Sequence, residues 1–125
     1  MKTLLIAKAV VEALAGLALM IFPTRTISLV LGVTLELPVG IVVARFVGVI
    51  LLAIGIACWV ARNQCESRGA TRLIVALLVY DVSVVALLLL ARLGEHLSGI
   101  ALWPAVFLHS GLGTWSLYCL KQKPR

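Results

Sequence analysis

Apolar residues run along this chain in four blocks, at roughly 3–22, 39–61, 70–91 and 98–120, with short polar or proline-bearing stretches between them. Blocks of that length predict helices that cross a bilayer, since a hydrocarbon core of ~30 Å takes about 20 residues at 1.5 Å each. A membrane strand would need only ~9–11 residues, and lipid offers no hydrogen-bond partner to an open sheet edge. Pro23 ends the first block, because an interior proline costs a helix a backbone bond. The following stretch, Thr24 to Gly32, predicts a short helix that Thr24 or Thr26 can cap and Gly32 can end. It is too short to span and is expected to lie at the interface. Glu36 and Pro38 are expected in the loop beyond it. The polar connectors Arg62–Gly69 and Arg92–His96 are short, so the blocks they join are expected to be antiparallel neighbours. Trp103-Pro104 falls in the first turn of the last block, where proline's missing N–H is no loss. The expected fold is all-α: an integral membrane four-helix up-down-up-down bundle with a short interfacial helix between helices 1 and 2. It forms a single transmembrane domain over residues 1–125.

Composition narrows the class. Hydrophobic residues make up 62% of the 125 and charged ones 13%, with a mean hydropathy of +1.15. A soluble domain of this size needs far more polar surface. The net charge of +6 does not point to nucleic acid, because no basic stripe with interleaved aromatics exists. The basic residues instead gather at block ends, where they meet lipid head groups. One side collects Lys2, Lys8, Arg62, Arg68, Arg72, Lys121, Lys123 and Arg125. The other has Arg25 and Arg92, with Arg45 a turn or two inside. That asymmetry predicts both termini in the cytoplasm. The tail from Lys121 to Arg125 is expected to fray. Lys8 and Glu12 interrupt the first block, which therefore lacks the unbroken apolar region of a signal peptide and reads as a retained helix. Three cysteines, Cys58, Cys65 and Cys119, show no C-x-x-C pair or metal-ligand spacing. At a cytoplasmic end they are expected to be free thiols, with palmitoylation of Cys65 or Cys119 as the alternative.

The chemistry lies inside the blocks. Lys8 and Glu12, Arg45, Tyr80 and Asp81, and His109 stand well within them. A charge at the bilayer centre costs about 2.5–3.5 kcal/mol on insertion scales, so such groups face a protein interior and pair. Depth counting places Glu12, Asp81 and His109 level, with Lys8 and Arg45 on opposite sides. The formal charges of Lys8, Glu12, Arg45 and Asp81 sum to zero. Arg45 is expected to pair with Asp81 or Glu12, and Lys8 with Glu12 one turn along the same helix. The layer reads either as a structural clamp or as a site that binds a ligand or carries protons. Small residues four apart suit close helix packing: Ala9 and Ala13; Ala44 and Gly48; Ala53, Ala57 and Ala61; Ala105, His109 and Gly113. A bis-histidine haem lacks its second ligand, because His96 falls in an outer loop. A pigment metal on His109 lacks an aromatic surround. No nucleophile–base pair, phosphate loop or metal-binding motif is present, so no cofactor or metal is expected and an enzyme is not the first reading. Trp59, Trp103 and Tyr118 are placed as interfacial anchors.

Gly16 through Pro23, the short segment ending near Gly32, then Arg45-Phe46-Val47-Gly48 with Gly55 and Trp59-Val60-Ala61-Arg62, form a recognisable layout. It resembles small four-helix bacterial membrane proteins of the DoxX-like kind and related families of unknown function. The resemblance covers the first half of the chain and implies the fold and a bacterial inner-membrane location. For members linked to quinone-coupled sulfur redox chemistry it implies a redox role, but no residue set here matches that activity. Two functions are thus expected. The first is a non-enzymatic accessory or scaffold subunit of a larger membrane complex, partnered by another membrane protein or by its own copies, with lipid around it. The alternative is a DoxX-like redox or small-molecule-binding protein with a quinone-sized site at the polar layer.

Overall fold

The computed structural model describes residues 1–122. Lys123 and Arg125, counted above toward the cytoplasmic side, and the fraying expected of the last residues lie outside the described residues. Among those described there are five helices and no strand: α1 (Lys2–Ile21), α2 (Pro23–Leu31), α3 (Pro38–Ala61), α4 (Arg68–Leu93) and α5 (Leu102–Lys121). Helices α1, α3 and α4 are long and apolar enough to cross a membrane, which marks an integral membrane protein. Helix α5 matches α1 in length at 20 residues. Its middle is diluted by His109, Ser110, Gly111, Gly113, Thr114 and Ser116, and it does not join the other three in apolarity.

Local chemistry fixes the helix ends. Pro23 is the buried first residue of α2, and the backbone breaks at Phe22 just before it. Thr26 does not cap that helix as expected. Its hydroxyl donates to the carbonyls of Ala18 and Phe22, at 3.1 and 2.9 Å, and so ties α2 to the end of α1. Gly32 closes α2 in the left-handed region at φ 76°, with its N–H on the Ser28 carbonyl. Pro38 is not a loop residue but the first of α3, the position a proline fills without loss. Ser67 caps α4 by accepting from the Ala70 N–H at 3.0 Å. The last helix starts at Leu102 rather than at Ser98 because the residues before it are held elsewhere. The Ser98 N–H donates to the Leu31 carbonyl at 3.0 Å and the Ala101 N–H to the Leu29 carbonyl at 2.8 Å. A side chain on Gly99 would collide with the backbone of Leu29 and Val30. The end of α2 is thereby stapled to the α4–α5 connection.

Helix α1 packs most extensively along α3, and α4 along α5, while α2 touches α1, α3 and α5. The buried stripe of α3 is Ala44, Gly48, Leu51, Gly55 and Cys58. Along this seam the backbones of α1 and α3 nearly touch. A Cβ on Gly16 would stand 2.7 Å from the Gly48 carbonyl oxygen, and one on Gly48 would stand 2.7 Å from that of Gly16. Such approach maximises dispersion contact where lipid gives no hydrophobic drive to association. Of the row Ala53, Ala57 and Ala61 expected to help, the first two are exposed on the far side and Ala61 packs against the core. One core cluster, Leu4, Leu5, Ala9, Cys58, Ile74, Leu77 and Leu112, draws on all four long helices. Cys65 and Cys119 pack against it, and all three thiols are free.

The seam gives a direct expectation. Gly16→Val forces two backbones apart and should destabilise the detergent-solubilised protein by about 1–3 kcal/mol or more. Gly111→Ala, whose Cβ meets nothing within 4 Å, should leave it unchanged. Thermal unfolding of the two variants side by side checks this; equal midpoints would remove the seam from the account.

Candidate functional site

Five of the six polar residues singled out in the sequence meet in one place. Lys8 of α1 donates its ammonium to Asp81 Oδ2 of α4 at 2.5 Å. Asp81 Oδ1 lies 3.0 Å from His109 Nδ1 of α5. Tyr80 donates its hydroxyl to Glu12 Oε2 at 3.0 Å, and its ring stands edge-on to that of His109 with centroids 5.6 Å apart. Burial is nearly complete: Lys8 is 0% exposed, Glu12 and Asp81 1%, and His109 9%. The helices deliver these groups by their rotation. Lys8 and Glu12 lie one turn apart on the face of α1 that also carries Leu4 and Leu5, while Asp81 continues the buried stripe of Ala70, Ile74 and Leu77 on α4.

Two expected pairings are not the ones formed. Lys8 pairs across to Asp81 instead of along its own helix to Glu12. A lysine stem bridges a one-turn offset of ~5.4 Å, so a difference in depth between backbones did not keep the two apart. Arg45 joins neither carboxylate. It is exposed, one position beyond buried Ala44 and therefore turned off the α1 seam, with no ion pair to any described residue. On α3 nearly every other position is apolar, and hydrophobic pattern alone did not reveal which face meets α1.

The loss of Arg45 changes the charge balance. Lys8, Glu12 and Asp81 leave one uncompensated negative charge in a place where an unpaired ion is costly. One added proton restores neutrality. Among the described residues, Glu12 Oε1 is the buried side-chain oxygen that has no hydrogen-bond partner, so Glu12 is the carboxyl with an oxygen free to carry it. Glu12, Asp81 and His109 also offer one ligand atom each within 4.8 Å of one another, a donor set of the kind that holds a divalent metal. The Lys8 ammonium already pairs with Asp81, one of the three donors.

A groove of about 260 Å³ opens between α4 and α5 with this pair at its floor. Asp81 and His109 meet Ser110, Gly113 and Thr114 there, under apolar walls from Leu78, Val82, Val85 and Leu117. Gly113 was visible in the sequence as part of a small-residue row. The apolar walls carried no signal, being aliphatic residues in aliphatic helices. Elsewhere, Arg62 stacks on the Trp59 ring, its charge 3.8 Å from the centroid, and donates to the Trp59 carbonyl at the end of α3. No family model, curated protein or solved structure was found to match this chain.

Lys8→Met strands the Asp81 carboxylate and should cost about 3–5 kcal/mol of stability. Adding Asp81→Asn, which keeps an acceptor for His109, should recover part of it. Arg45→Leu should stay within about 0.5 kcal/mol of the parent. Denaturation in mild detergent reads all three. A double variant no more stable than Lys8→Met alone would mean that Lys8 and Asp81 are not a structural pair.

Proposed function

We propose that this chain is a small, non-enzymatic accessory or scaffold subunit of a larger membrane complex, with its buried polar layer serving as the clamp that holds its helices in register. In this reading α5 is the fourth span and the helices run up-down-up-down as a single membrane domain. Its 20 residues reach about 30 Å, and Trp103 and Tyr118 near its ends suit the two interfaces. Helix α2 lies along the interface on the side away from the termini. Both termini are cytoplasmic, supported by Lys2, Arg62, Arg68, Arg72 and Lys121 against Arg25 and Arg92. Lys8 leaves that count, because Asp81 neutralises it. A bacterial inner membrane is the location that the DoxX-like layout implies.

The observation that carries the accessory role is Arg45. It sits within α3, exposed beside Val42, Val43, Phe46 and Val49 on an apolar face, and no carboxylate among the described residues pairs with it. An intramembrane charge of this kind is matched by a partner's acidic or carbonyl group, in another protein or a second copy. Copurification in mild detergent tests it. A stoichiometric partner should come down with the parent, and Arg45→Leu should lose that partner while keeping the parent's thermal stability. Equal capture by Arg45→Leu, or a parent that elutes alone as a monomer, would overturn the reading and leave Arg45 reaching for lipid head groups. The groove at His109 favours a second reading, binding of a small molecule drawn from the lipid phase.

A further inference from the structure

The groove between α4 and α5 is small, at about 260 Å³, against roughly 300–1,000 Å³ for the pockets of drug-sized ligands. It therefore takes a single ring or a short chain. Its walls are aliphatic, and its polar end is the Asp81–His109 pair. The Lys8 ammonium holds Asp81 as a carboxylate acceptor, so the imidazole nitrogen facing it, Nδ1, carries the hydrogen. In that tautomer Nε2 is the ring's hydrogen-bond acceptor. Nε2 has no partner among the described residues, and the His109 side chain, 11% exposed, lines the groove. A ligand there must bring a hydrogen-bond donor. It must also be uncharged, because Asp81 repels an anion and the one nearby cation, Lys8, is already engaged.

We propose that this groove binds a small, neutral, lipid-soluble hydroxyl compound of single-ring size, with its O–H donating to His109 Nε2. This rests on the small-molecule reading and names the ligand's chemistry. Gly113 is what makes the room. A Cβ there would meet Asp81 Cβ at 3.5 Å and Leu78 Cδ1 at 3.8 Å, ordinary contact distances that the fold can accept. A larger side chain at this position must grow into the groove. Ser110 lines the same groove and offers a second hydroxyl beside the ligand's own.

The test uses the full chain with ¹⁵N-labelled histidine in detergent micelles, titrated with 4-butylphenol and with its methyl ether, 4-butylanisole. The phenol should bind saturably and shift the Nε2 resonance of His109. The ether has lost the donor and should bind at least tenfold more weakly. Gly113→Leu should weaken the phenol at least tenfold, and Gly111→Ala, which faces open space, should not. Micelle partitioning is common to all these proteins and cancels between them. If Gly113→Leu does not fold, Gly113→Ala serves, with a smaller loss. Competition by a diacylglycerol would assign the hydroxyl to a lipid, and its absence would assign it to a free ring compound. Both outcomes keep the donor assignment. Equal binding of phenol and ether, still lost in Gly113→Leu, would overturn the donor assignment while the small-molecule reading stands. Binding indifferent to Gly113 would overturn both.

Discussion

The contact between Lys8 and Asp81 is the constraint on which the rest of this structure turns. Two full charges sit at 0% and 1% exposure, in a chain with little polar surface to spare. Neither charge is tolerable there without the other, so α1 and α4 must keep these two faces together. Asp81 then passes the constraint to α5 through His109, and Tyr80 returns it to α1 through Glu12. Helix α1 packs mainly on α3, and α4 mainly on α5. The polar contacts are what hold those two pairs to each other, assisted by the apolar cluster around Leu4, Ile74 and Leu112.

Different physics governs the seam within each pair. Among the described residues no side-chain hydrogen bond or ion pair joins α1 to α3, and the helices instead come together where Gly16, Gly48 and Gly55 remove side chains from the path. Dispersion over a close backbone contact does there what ion pairing does across the centre. Between α4 and α5 the packing is looser on the outer side, where a groove lined by Gly113 opens. The same small residue that gives tight contact in one seam gives access in the other. That groove ends at the Asp81–His109 pair, so the contact that joins α4 to α5 also lines the opening between them.

Much of this was legible along the chain. Block length and solvent chemistry determined the helical class, three of the apolar helices and the short helix after Pro23. Proline and glycine chemistry located its ends at Pro23 and Gly32. The polar residues Lys8, Glu12, Tyr80, Asp81 and His109 stood out because charge and apolar surroundings conflict, and that conflict has few resolutions. The start of α5 was not legible, because Ser98 and Ala101 are claimed by backbone carbonyls of α2, some seventy residues earlier. Helix α5 has a more polar middle than the other long helices, with His109 turned to Asp81 and the Thr114 and Ser116 hydroxyls on their own helix's carbonyls.

What the sequence determined alone is therefore the set of groups that must find partners and the membrane setting that makes the need severe. Only the tertiary structure decided which partners they found. An i, i+4 spacing shows that Lys8 and Glu12 share a face, yet both helices' rotations and a flexible lysine stem send that ammonium to Asp81. Likewise, residue order cannot say which side of an almost wholly apolar helix is its packing face. The glycines of α3 chose the side that meets α1, which left Arg45 outside and the buried cluster one positive charge short. That choice is a property of backbone approach in three dimensions, and it depends on contacts between residues far apart in the chain.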